Sequence, residues 1–194
     1  MPRRTASAAV FIAILMMCCA APASGLANLW LDVPFVQQQK DGCGAASIAM
    51  IMQYWDQHEG HSMQPAADPI PIMRALYSRP AHGIYASAMV RYFEQNGYRA
   101  FAFAGQPADL LTQLQLGRPL IAALKPGAGP SLHYVVVVGL DQPQNLVLVN
   151  DPAQRKLLKK DRSQFEREWG AAGHWILLAV PRVSTPGPST TSTN

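Results

Sequence analysis

Three kinds of side chain in this sequence could cooperate in attack on a carbonyl carbon: the thiol of Cys43, the imidazole of His133, and the polar pair Asn150-Asp151. A thiol attacks as its thiolate, and the first turn of a helix favours that form, because unpaired backbone N–H groups and the helix dipole stabilise negative charge. Cys43 stands at such a point. It follows Asp41-Gly42 and opens the run Gly44 to Trp55, about a dozen small and apolar residues that read as a helix buried on most sides. Gly42 and Gly44 are expected to leave room for a substrate backbone, whereas a structural cysteine belongs in the middle of an apolar run. The competing reading of Cys43 is a buried, inert thiol.

Attack on a carbonyl also needs a donor for the developing oxyanion. A glutamine in the loop before the helix can share that role with the backbone N–H of the nucleophile. Gln37 lies six residues before Cys43, with Gln38 and Gln39 as competitors, and all three could equally be solvated loop residues. His133 follows the Pro/Gly-rich loop Lys125 to Ser131 and begins the most strand-like stretch of the chain, which places a base at a strand mouth. Its alternative is a hydrogen-bonded rim histidine. Antiparallel pairing of Leu132–Leu140 with Asn145–Asn150 through the turn 141–144 returns Asn150-Asp151 to the neighbourhood of His133. Which of the two faces the imidazole depends on register. Pairing Leu140 with Asn145 selects Asn150, a shift of one residue selects Asp151, and spacing alone leaves both open.

The elements that must position these groups follow from periodicity. Leu31 to Val36 reads as a short extended segment and 56–71 as a loop. Ile72 to Tyr77 suggests a short helix; Ser87 to Gln95 is a helix stopped by Asn96-Gly97, and Tyr98 to Ala104 a strand. Pro107 to Leu116 reads as a helix, Leu120 to Leu124 as a strand, Ser163 to Trp169 as a last helix and Trp175 to Val180 as a last strand. Arg155 to Lys160 is a short basic run read as solvated surface. Helices first and an antiparallel sheet afterwards predict an α+β domain.

Composition bounds the setting. The chain has 194 residues, 49% of them hydrophobic, enough for one domain with a core that needs neither disulfides nor metal. Arg3 and Arg4, the apolar run Ala8 to Cys19 and Ala21-Pro22-Ala23 have the layout of a secretory signal peptide. Residues 1–23 are therefore expected to be a cleaved leader, 24–180 the folded domain and 181–194 a disordered Pro/Ser/Thr-rich tail. Loss of Arg3 and Arg4 lowers the formal net charge from +4 to +2 and leaves Cys43 as the sole mature thiol. So small a charge argues against a nucleic-acid partner. His58 and His61 stand three apart without a second pair of ligands, which favours loop polarity over a metal site. No cofactor is called for. Gly-x-Ser-x-Gly and dinucleotide glycine patterns are absent.

Three motifs occur in order: Gln37-x5-Cys43-Gly44-Ala45-Ala46, His133-Tyr134 followed by four valines and Gly139, and Asn150-Asp151-Pro152-Ala153. Together they resemble the bacteriocin-processing peptidase C39 and C39-like families. The resemblance implies a papain-like fold, with a buried helix carrying Cys43 packed on an antiparallel sheet carrying His133 and Asp151. It implies Cys43 as nucleophile, His133 as base, Asp151 as orienting acid and Gln37 as oxyanion donor. The best-known members of that family cut after a double glycine in leader peptides and are fused to an ABC transporter; for this chain an export signal, and no transporter segment, is expected. The expectation is a monomeric cysteine peptidase acting on a peptide or protein in the periplasm or medium, without a membrane span once the leader is removed. The rivals are a non-catalytic peptide-binding module and an acyl transferase on the same residues.

Overall fold

The computed structural model describes residues 28–60, 62–129 and 131–182. The expected leader lies outside them, as does the tail beyond Arg182. A two-residue strand β1 (Leu29–Trp30) precedes α1 (Cys43–His58), and eleven of the sixteen residues of α1 are buried, as its nearly continuous apolar sequence requires. Asp68 caps α2 (Pro69–Leu76) by accepting the Ile70 N–H at 2.8 Å, with Pro69 supplying the preset φ of a first helical residue. The helix α3 (Ala86–Gln95) stops at Asn96 and Gly97, whose φ of +89° suits glycine, and the chain reverses into β2 (Tyr98–Ala104). A reciprocal cap between Gln106 and Asp109 starts α4 (Pro107–Gln115). Then follow β3 (Leu120–Leu124), β4 (His133–Asp141), β5 (Leu146–Asp151), β6 (Arg155–Asp161), α5 (Arg162–Gly170) and β7 (Trp175–Pro181).

The strands form one antiparallel sheet in the order β2-β7-β3-β4-β5-β6, with β1 added to the far end of β4. Alternation along β3, β4 and β5 sends side chains to two apolar layers. Ile121, Ala123, Val136, Val138 and Leu148 face α1, where they meet Ile48, Met52 and Tyr54. Ala122, Val135, Val137, Val147 and Val149 face α4 and α5, against Leu110, Leu114, Phe165 and Trp169. The α+β architecture with a buried cysteine-bearing helix on an antiparallel sheet is as the sequence predicts.

Two segments differ from expectation: 56–71, read as a loop, carries the last residues of α1, a 3-10 turn at Pro65–Ala67 and the first residues of α2, and the second is a run of basic residues. Arg155 to Lys160, read as solvated surface, is the outer strand β6. An edge strand needs only one neighbour and tolerates Lys and Arg, which guard it from further pairing, so its sequence carries little alternation. Leu31 to Val36, expected as an extended segment that Pro34 holds to an edge or loop, lies outside the strands, with Leu31 N–H donating to Val138 O at 2.8 Å and Val33 fully buried.

The pairing of β4 with β5 is interrupted between Val137 and Gly139 by a one-residue bulge at Val138. Gly139 beside it lies under β1: a Cβ there would meet the Leu29 carbonyl oxygen and sit 2.8 Å from Trp30 Cβ. Only glycine allows that approach.

Candidate active site

Cys43 is the first residue of α1, entered through Asp41 at φ +59° and Gly42, whose N–H donates to Gln39 O at 2.9 Å. No side chain caps this end, so the first N–H groups of the helix are left to whatever approaches the thiol. The flanking glycines do a different job from the one expected of them. A Cβ at Gly44 would lie 3.1 Å from Ile84 Cβ, and one at Gly42 would lie 3.0 Å from Gln39 O. Their missing side chains admit neighbouring protein, not a substrate backbone.

His133 opens β4 and is partly exposed; its Nε2–H donates to Asp151 Oδ1 at 2.7 Å. The ring's other neighbour is the Cys43 thiol, which leaves Nδ1 for the sulfur. Asp151 is 2% exposed, and its carboxylate also accepts the Ala153 N–H at 3.0 Å and the Gln154 side-chain amide at 2.8 Å. Asn150 points to the opposite face, where its amide donates to Val33 O at 3.1 Å and its oxygen accepts the Leu157 N–H at 3.0 Å. The bulge decides between the two candidates. Carried along the whole of β5, the pairing of Leu140 with Val147 would set Asn150 opposite Val137, on the His133 face. The extra residue at Val138 sets Asn150 opposite Val136 and brings Asp151 to His133.

Burial alone would lower the His133 pKa, but the hydrogen bonds and charges of Asp151 and Cys43 outweigh it and push it up to about 9. Burial likewise pushes Asp151 up, and the bonds from His133, Ala153 and Gln154 hold it below the usual carboxylate value. These opposite shifts fix the sign of the pair's pH dependence. The His133 contribution to stability is complete below its ordinary pKa near 6.5 and is lost as pH rises through about 9. The Asp151 contribution is complete above its ordinary 3.8 and is lost as pH falls through its lowered value. Both are therefore fully present between about pH 4 and 6.5. Urea midpoints of the wild type should fall from pH 6.5 to 10 more steeply than those of His133→Gln. Parallel profiles would mean that the histidine is not held protonated by its neighbours.

Gln37 is exposed and lines a cavity of about 120 Å³ together with Gln38, Gln39, Gly42, Ile70 and Met73. The Gln38 N–H donates to Pro152 O at 2.9 Å, tying the glutamine loop to the segment after Asp151. All four expected site residues thus come from segments that converge on the start of α1. Sequence reasoning missed Gln154, the second clamp on Asp151, and the turn Ala81–Tyr85, which lines a cleft with Cys43 and Tyr134. His82 beside Gly83 is the one residue pair in that turn that stands out in the sequence. Tyr134 is buried, and that burial and the Cys43 charge push its pKa up to about 12. Among the described residues no group of three His, Cys, Asp or Glu is placed to hold a metal, and no helix is long and apolar enough to cross a membrane.

A thiol at the mouth of a buried helix, facing a histidine on an antiparallel sheet, defines the papain-like class. The chain matches the peptidase C39-like family over residues 30–176 and belongs to that family. Its fold is similar to that of a C39-like peptidase from Bacillus anthracis (TM-score 0.62, 20% identity, covering 80% of this chain and 98% of that one). It is also similar to a double glycine motif protease from an AMS/PCAT transporter, solved in complex with its leader peptide (TM-score 0.60, 21% identity, 79% and 94%). Among curated proteins it is 31% identical over 134 residues to the lactococcin-G-processing and transport ATP-binding protein of Lactococcus lactis subsp. lactis. That match takes in 69% of this chain, which spans 17% of the length of that relative.

Proposed function

We propose that this chain is an exported cysteine peptidase. Cys43 is the nucleophile, His133 its base, Asp151 the residue that orients His133, and Gln37 the oxyanion donor together with the Cys43 N–H. The observation that carries the reading is the 2.7 Å bond from His133 Nε2 to Asp151, with Cys43 the ring's other side-chain partner. His133 Nδ1 takes the thiol proton and the sulfur attacks the peptide carbonyl. The two donors hold the oxyanion of the tetrahedral intermediate. Collapse breaks the C–N bond, the leaving amine takes the proton from Nδ1, and an acyl-enzyme remains. Water, deprotonated by the same nitrogen, attacks the thioester; its collapse releases the acid and returns the proton to sulfur. Membership of a peptidase family supports the reaction class, and the leader-like residues 1–23 support export. The substrate is a peptide or protein, and the enzyme acts as a monomer in the periplasm or medium.

Brief treatment with limiting iodoacetamide, read by mass spectrometry at pH 6, tests the reading. Cys43 should be labelled at least about tenfold faster in the wild type than in His133→Ala, because the variant lacks the base that takes the thiol proton. Equal rates in the two proteins would leave Cys43 a structural thiol.

A further inference from the structure

We propose that the cleft beside Cys43 selects peptides with an apolar side chain, aliphatic or aromatic, within two residues of the bond that is cut. This rests on Cys43 being the nucleophile, as proposed above. The cleft has a volume of about 300 Å³ and reaches the thiol itself, with Ala81, Ile84, Tyr85, Leu132 and Tyr134 as its apolar walls. That is the size at which a pocket begins to enclose a ligand group. Among the described residues its lining includes no Asp, Glu, Lys or Arg. Its polar members are the thiol, His82 and Ser131, so a charged side chain lodged against the Ile84, Tyr85 and Leu132 walls would shed water for apolar contact.

The walls are preformed. Ser78 N–H donates to Gly83 O at 2.8 Å and His82 N–H to Arg79 O at 3.1 Å, which closes the turn that carries His82, Gly83 and Ile84. Ile84 is 4% exposed and packs against the first turn of α1 in the space left by the missing side chain of Gly44. The Tyr134 ring packs edge-on against Trp175, with centroids 5.6 Å apart. At the rim, Tyr85 and Leu132 remain 53% and 45% exposed, so large apolar surface stands open within reach of the nucleophile. A glycine at the corresponding substrate position would cover none of it. An aliphatic or aromatic side chain would cover most of it, and such burial commonly amounts to a tenfold or greater preference.

The full chain is incubated with peptides randomised over six consecutive positions, and the products are sequenced by mass spectrometry alongside Cys43→Ala. The expected result is Cys43-dependent cleavage in which one position within two residues of the cut favours Leu, Met, Phe or Tyr over Gly, Asp and Lys by tenfold or more. Ala81→Phe, which fills the cleft, and Leu132→Ser, which makes its rim polar, should each reduce the Leu-to-Gly preference at least fivefold. Both variants are first confirmed as folded by their urea midpoints. Cys43-dependent cleavage that favours Gly or charged residues near the cut, or a preference unmoved in both variants, overturns this inference and leaves the peptidase reading standing. Absence of any Cys43-dependent cleavage overturns that reading, and this inference with it.

Discussion

Replacing Cys43 with alanine is expected to lower kcat/KM for peptide hydrolysis by about 10⁴-fold or more, because the acyl-enzyme route closes and only binding and oxyanion stabilisation remain. The chain should still fold, since Cys43 is only partly buried at the end of α1 and forms no disulfide. The measurement is turnover of the best peptide from the randomised mixture by equal concentrations of folded wild type and variant. Undiminished turnover would remove the thiol from the chemistry. Asp151→Asn refines the test: the shape is kept while the charge on His133 Nε2 is lost, so the His133 pKa should fall from its raised value of about 9, as NMR titration would read it. Activity should then fall less than in Cys43→Ala, because the nucleophile remains and only its base is mispositioned and less basic.

The second large effect falls on stability. Asn150 is fully buried and satisfies three groups from two segments: its amide donates to Val33 O at 3.1 Å and more weakly to Pro34 O at 3.4 Å, and its oxygen accepts the Leu157 N–H. Asn150→Ala strands the Leu157 N–H and the Val33 carbonyl in a buried setting, at about 1–3 kcal/mol for each orphaned group. A total loss of about 3 kcal/mol is expected, which for a domain of this size lowers Tm by roughly 10 °C. Asn150→Asp should be worse, since a carboxylate would face two carbonyl oxygens with no proton to offer. Thermal unfolding of both variants checks this. A loss under about 1 kcal/mol in Asn150→Ala would mean that the segment leading to Gln37 is held by other contacts.

The adjacent residues Asn150 and Asp151 thus play opposite parts, and the distinction shows why some of the site was readable and some was not. The α1 run and the four valines of β4 are nearly continuous apolar stretches, the helix–strand unit Ala86–Ala104 is punctuated by Asn96-Gly97, and each forms close to its expected bounds. The outer strand β6 was not readable, because an edge exposes its side chains on both faces and lysines are compatible with surface or strand alike. The turn Ala81–Tyr85 was not readable either. It reaches Cys43 across about forty positions of sequence, and nothing in its own residues announces that distance.

What the sequence by itself determined is the chemistry available and the order in which it is threaded. A helix opens on Cys43, a strand opens on His133, and a hairpin returns two polar residues beside it, since local periodicity and turn residues depend only on neighbours along the chain. What only the tertiary structure decided is which of those polar residues meets the histidine, and what fills the space around the thiol. A single inserted residue at Val138 exchanges the two faces of β5 relative to His133, because side chains alternate with a period of two. That insertion sits where Leu29, Trp30 and Leu31, more than a hundred residues earlier in the chain, press against Val138, Gly139 and Leu140. No local pattern encodes a contact of that range.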